Sequence, residues 1–131
     1  PVGLIDLYPT LLELCGLPPR LVNQGASLVP LMKNPNAGWR FATLTTYALG
    51  NHTLRSERHR YLRFEDGAEE LYDHATDPHE WTNLANHKKS ATILERFRRE
   101  LPDKEAPYHP AIRSGAVNAW FQDHLRRNGV K

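Results

Sequence analysis

The run Gly50-Asn51-His52, followed three residues later by Arg55, gathers side chains suited to binding hydroxyls and anions. An amide and an imidazole hydrogen-bond a hydroxyl or carboxylate, and a guanidinium pairs with an anion through two parallel N–H donors. The run joins two predicted strands, and a loop held by a rigid sheet can reach into a neighbouring pocket. Asn51, His52 and Arg55 are therefore the candidate substrate-binding residues. Turn chemistry with a solvated or internally paired arginine would give the same letters, and that alternative stays open. A second group, Asp73, His74, Asp77, His79 and Glu80, offers oxygen and imidazole donors of the kind that ligate metals. The Asp77-Pro78 step argues against that use, because a carboxylate at such a turn caps backbone N–H groups. No metal ligand is assigned. The stripe from Arg58 to Phe64 mixes bases and aromatics as nucleic-acid platforms do. Simple alternation of core and solvated positions in a strand produces the same composition.

The elements that must hold these residues emerge from periodicity. Asp6 and Pro9 with Leu7, Leu11, Leu12 and Leu14 predict a helix over about Leu7 to Cys15, stopped by Gly16 and Pro18-Pro19. Cys15 is expected to be buried there as a small hydrophobe. Ser27 can cap a short second helix carrying Leu28, Leu31 and Met32, with Pro30 in its first turn. From Phe41 to Leu49 the β-branched and aromatic residues predict a strand. Thr53 to Arg55, His59 to Phe64 and Glu70 to Asp73 add a three-stranded meander. Leu71 and Tyr72 are expected to pack inward, and Trp81 and Leu84 to fasten the next helix. Ser90 opens that helix, with Ile93, Leu94, Phe97 and Leu101 at helical spacing, and it should lie across the sheet. Pro102, Pro107 and Pro110 interrupt regular structure, and a last amphipathic segment carries Val117, Trp120, Phe121 and Leu125.

The 131 residues suit one α+β domain, divided into a helical lead-in (1–38), a small antiparallel sheet of three to four strands (39–85) and helices with a Pro-rich loop (86–131). A net charge of +2 from 17 basic and 15 acidic side chains gives no general attraction to nucleic acid or to an anionic membrane, and neither is expected as a partner. Cys15 is the only cysteine, so no internal disulfide or thiolate cluster can form. The chain opens on Pro1 and runs almost at once into an apolar helical pattern, which reads as a piece of a longer polypeptide.

Several blocks in order carry a family resemblance: Val2-Gly3-Leu4-Ile5-Asp6-Leu7-Tyr8-Pro9-Thr10-Leu11-Leu12, Gly25-Ala26-Ser27-Leu28-Val29-Pro30-Leu31, Arg60-Tyr61-Leu62-Arg63-Phe64, Glu70-Leu71-Tyr72-Asp73, Asp77-Pro78-His79-Glu80 and Asn83-Leu84-Ala85. Over about Pro1 to Leu101 the chain resembles the C-terminal third of type I sulfatases, with iduronate-2-sulfatase-like enzymes the nearest likeness within the arylsulfatase family. The resemblance implies the C-terminal subdomain of an alkaline-phosphatase-like sulfatase fold. It also implies a parent enzyme that attacks a sulfate ester with a formylglycine beside calcium, commonly exported to a periplasmic or extracellular space. The formylglycine motif, Cys or Ser followed by X-Pro-X-Arg, does not occur here. After Cys15 the required proline and arginine positions hold Leu17 and Pro19. No catalytic residue and no cofactor is assigned to this chain, which is expected to be inactive alone. Its implied roles are to complete the fold against an N-terminal catalytic domain and to contact a sulfated small-molecule or carbohydrate substrate around His52. An apolar sheet face left without that domain would favour self-association. The alternative is a stand-alone, non-catalytic binding or interaction module derived from a sulfatase.

Overall fold

A computed structural model describes residues 1–105 together with Ala119, Asp123 and Arg127. Two compact units divide the chain, Pro1–Leu101 and Pro102–Lys131. In the second, Ala119, Asp123 and Arg127 are helical, and Arg127 pairs with Asp123 at 2.7 Å one turn away. The apolar set Val117, Trp120, Phe121 and Leu125, and Pro107 and Pro110, lie outside the described residues.

The first unit begins with a 3-10 turn, Leu4–Asp6, that runs into α1, Leu7–Leu14. Asp6 is buried because its two carboxylate oxygens are both used. One accepts from Gly3 N at 2.8 Å and the other from Ala26 N at 2.9 Å, which ties the chain start to a loop twenty residues on. Thr10 continues the staple: its hydroxyl donates to the Asp6 carbonyl at 2.6 Å and accepts from Leu28 N at 2.9 Å. The loop comes so close that a Cβ on Gly25 would stand 2.2 Å from the Ile5 carbonyl oxygen. Ser27 accepts from Val29 N at 3.2 Å and so starts α2, Val29–Lys33, with Pro30 in its first turn. Val29, rather than Leu31 or Met32, is the residue that α2 buries. Cys15 is exposed, against expectation, because α1 buries little besides Thr10.

Four antiparallel strands come next, in sequential order: β1 (Thr43–Thr46), β2 (His52–Arg55), β3 (His59–Arg63) and β4 (Glu69–Asp73). The first is shorter than its composition predicts. Ala48 and Gly50 take left-handed φ angles of 57° and 76°, which turn the backbone out of the pleat after Thr46. Cross-strand partners place Leu44, Leu54, Tyr61 and Leu71 in one row on a single face. Over that face lies α3, Ala91–Glu100, contributing Leu94 and Phe97, with Leu101 just beyond its end. Its long apolar stripe is what packs it there. Tyr61 is fully buried, its ring stacked on Phe97 with centroids 5.6 Å apart. The Tyr61 hydroxyl donates to Glu69 at 2.5 Å, and Glu69 also receives both guanidinium donors of Arg98, which clamps α3 to β4. Burial, and then this hydrogen bond, push the Tyr61 hydroxyl far above its ordinary pKa.

Strand alternation sends Tyr72 to the opposite face from Leu71, where it is half-buried and donates to Glu70 at 3.0 Å, so only Leu71 of that pair packs inward. Leu84 does dock on the core, and its N–H continues the sheet edge by donating to the Leu71 carbonyl at 2.8 Å. Trp81 is no buried anchor among the described residues: it is 84% exposed and stacks on His79, with centroids 5.1 Å apart. Among the described residues no helix is long and apolar enough to cross a membrane.

Candidate functional site

Two hairpin connections meet at one end of the sheet. In the first, Tyr47 N donates to the Asn51 carbonyl at 3.0 Å, and the Asn51 side-chain amide donates to the Leu49 carbonyl at 3.0 Å. In the second, Gly67 N donates to the Phe64 carbonyl at 2.9 Å, and the Asp66 carboxylate accepts from Ala68 N at 2.9 Å. The turns touch backbone to backbone. A Cβ on Gly50 would lie 3.0 Å from Glu65 Cα, and Asn51 Oδ1 accepts from Glu65 N at 3.3 Å.

The three candidate binding residues separate. Asn51 braces both turns and lies on the wall of two hollows, one of ≈ 330 Å³ with Tyr47 and Phe64, the other of ≈ 460 Å³ with Glu65 and Asp66. His52 opens β2 at 4% exposure, with its Nδ1 3.0 Å from the hydroxyl of its cross-strand partner Thr46. Arg55 closes β2 and turns its guanidinium to the Ser56–Arg58 bend, donating to the carbonyls of Ser56 at 2.6 Å, His59 at 3.3 Å and Glu57 at 3.4 Å. Arg55 lies three residue steps along the strand from His52, about 10 Å, and the odd spacing puts them on opposite faces. Arg55 thus serves the turn, the alternative that the sequence left open, while Asn51 and His52 stay together at the hollows.

Sequence reasoning passed over Tyr47, Thr45 and Thr53. They were within reach of it: on a two-residue period Thr45, Tyr47, Asn51 and Thr53 share one face once the hairpin register is set. Tyr47 is 83% exposed beside this hollow.

At the other end of the sheet, the acidic and imidazole cluster resolves into a brace. Asp73 takes Arg58 Nε at 2.8 Å and Nη2 at 2.5 Å, and the guanidinium holds its carboxyl far below the ordinary range. Asp77 accepts from Thr82 N at 2.8 Å, and that backbone capping, with neighbouring amides, lowers its pKa too. Glu80, at a left-handed φ of 59°, bridges Arg60 at 2.8 Å and His74 at 2.5 Å. Within the basic stripe Tyr61 lies beneath Phe97, and Arg58 and Arg60 are each paired with a carboxylate. Among the described residues no three His, Cys, Asp or Glu side chains stand close enough to hold a metal ion. With no formylglycine motif in the sequence either, the described residues do not fit the calcium and formylglycine of a sulfatase centre.

Comparison with known proteins identifies the family. A family model described as N-sulphoglucosamine sulphohydrolase, C-terminal, matches residues 2–106. A protein named sulfatase from Formosa agariphila is 40% identical over 130 residues, covering 99% of this chain and 25% of its own length. The structure of BT4656 in complex with its substrate D-glucosamine-2-N,6-O-disulfate superposes with a TM-score of 0.58 at 25% identity, covering 73% of this chain and 22% of that one. BT1596, a 2-O GAG sulfatase, gives a TM-score of 0.54 at 25% identity, over 93% of this chain and 24% of its own. The chain spans about a quarter of the length of these relatives. It belongs to the N-sulphoglucosamine sulphohydrolase C-terminal family and has the architecture of the C-terminal region of alkaline-phosphatase-like sulfatases.

Proposed function

We propose that this segment completes a sulfatase whose N-terminal catalytic domain carries the formylglycine nucleophile and calcium, and whose substrate is a sulfated sugar of the glycosaminoglycan type. The observation that carries this reading is the family match over residues 2–106 in a chain without the nucleophile motif. The α1 surface supports it. Leu7, Leu11 and Leu14 succeed each other along one stripe and are each at least half exposed, at 50, 59 and 55%, with Leu4 beside them at 87%. Each leucine fully buried is worth about 1.5–3 kcal/mol, so the stripe is a docking face for the N-terminal domain, and left bare it drives self-association. Nearby, the buried Asn23 side-chain nitrogen has no hydrogen-bond partner among the described residues, a donor that a docked surface would satisfy.

A named neighbour binds a glucosamine disulfate and another is a 2-O GAG sulfatase. Glucosamine sulfation is therefore the first substrate to try, and the iduronate-2-sulfatase likeness of the sequence makes a 2-O-sulfated uronate the second. The test is an assay of the whole encoded polypeptide on sulfated disaccharides, with and without a calcium chelator. Chelator-sensitive release of sulfate is the expected result. An upstream reading frame without Cys or Ser in X-Pro-X-Arg context would sink the proposal and leave the non-catalytic binding module in its place.

A further inference from the structure

We infer that the hollow beside the Tyr47–Asn51 turn is a subsite for the apolar face of a pyranose ring, which stacks on Tyr47. The inference rests on the sulfatase reading and concerns the hollow at Asn51, which it assigns a ligand chemistry. Its wall lies on the sheet face away from α3. Cross-strand register places Thr45, Thr53 and Leu62 in one row, and the same period adds Tyr47, Asn51 and Phe64. An aromatic ring exposed over 83% of its surface stands beside apolar floor and small polar side chains, the composition that stacks on sugar C–H groups and hydrogen-bonds sugar hydroxyls. The hydroxyls of Thr45, Tyr47 and Thr53 enter no hydrogen bond among the described residues, so they are unspent. The volume of ≈ 330 Å³ admits one ring.

Charge sets how the ring lies. Arg63 and His52 border the hollow from register positions of the opposite sheet face. Arg55 is held on turn carbonyls. At the far side, the adjoining hollow is lined by Glu65 and Asp66. The hollow's own lining includes Arg63 and no carboxylate, so a sulfate carried on the ring would lie toward Arg63 while ring hydroxyls find the threonine and tyrosine oxygens. The turn itself is built to hold its position. Ala48, a residue with a side chain, sits at φ 57°, and Gly50 at φ 76° allows the backbone contact with Glu65. A non-glycine residue kept in that region is strained, and the strain persists when the surroundings over-determine the conformation, as in a ligand clamp.

The test uses the whole encoded polypeptide and a heparin-derived disaccharide carrying one sulfate, titrated by calorimetry, with sulfate release measured in parallel. Tyr47→Ala and Thr53→Val should each weaken binding about tenfold, by nearly the same factor at low and high salt, while Arg99→Gln on the exposed side of α3 binds as the parent does. Melting curves confirm that the variants are folded. Equal binding by all four proteins overturns the inference, including the case in which upstream chain already fills the hollow. Failure of the parent protein to bind the disaccharide overturns it too. Binding that both variants weaken, in a polypeptide that releases no sulfate, keeps the subsite and overturns the enzyme reading alone.

Discussion

Replacing Asp73 by asparagine removes one charge from the brace that ties β4 to the β2–β3 turn. In the parent chain the Asp73 side chain is 10% exposed and holds Arg58 at two points, 2.8 and 2.5 Å, while Arg58 itself is 58% exposed. A hydrogen bond to a charged partner contributes about 1.5–3 kcal/mol when sheltered, and an ion pair in water about 0–1 kcal/mol. With one partner sheltered and the other more than half in water, the loss at neutral pH should be about 1–2 kcal/mol. The asparagine oxygen can keep the 3.1 Å contact with Ala75 N, so the turn itself survives.

The pH dependence has a fixed sign. Arg58 depresses the folded carboxyl below its unfolded value of about 3.9, so the contribution is complete above that value and fades as pH falls from there toward the folded pKa. Native-state amide exchange at Tyr61 and Leu71, corrected for intrinsic rates, reads this sheet whatever else the polypeptide carries. Protection should fall about tenfold in Asp73→Asn near neutrality, and the gap from the parent should narrow progressively as pH falls below about 4. A gap that stays constant from neutral to acid pH would refute the ion-pair account, since a merely steric defect has no reason to titrate.

Two further outcomes test the packing. Phe97→Ala deletes the ring on which Tyr61 stacks at 1% exposure and should cost about 3–5 kcal/mol, seen as a large drop in melting temperature by circular dichroism, with Phe97→Leu recovering more than half. Gly25→Ala puts a methyl 2.2 Å from a backbone oxygen that cannot rotate away, so the Ile5 to Ala26 staple should open and limited proteolysis in the 16–26 loop should quicken several-fold, by about 1 kcal/mol or more of local stability.

Much of the scaffold was legible because its driving force is local pattern. Ile93, Leu94, Phe97 and Leu101 lie on one helical stripe, and that stripe is the side of α3 that meets the sheet. Asp77 capped the turn that its Asp-Pro context predicts, because a short carboxylate beside free amides needs no tertiary information. Strand β1 ended early for a reason the letters hide: the left-handed residue is Ala48, which carries no such preference, and the contact of the neighbouring Gly50 with Glu65 is what holds the turn there. Trp81 read as an anchor, since a large apolar residue is usually buried. Which way a loop residue points depends on the bonds around it, here the Asp77 cap and the Glu80 bridge, and these leave the indole outside.

The same distinction explains the site. Residue type alone nominated Asn51, His52 and Arg55, yet a side chain is available to a ligand only if the fold has not already used it. Arg55 donates to three turn carbonyls, His52 is buried against Thr46, and the cations of β3 are paired on Asp73 and Glu80 or carried on the other face. Thr45, Tyr47 and Thr53 keep their hydroxyls unspent among the described residues at this end of the sheet, and Arg63 borders the same hollow. On the proposed reading the nucleophile lies in an N-terminal domain, and the exposed leucine stripe of α1 offers the surface on which the two would meet.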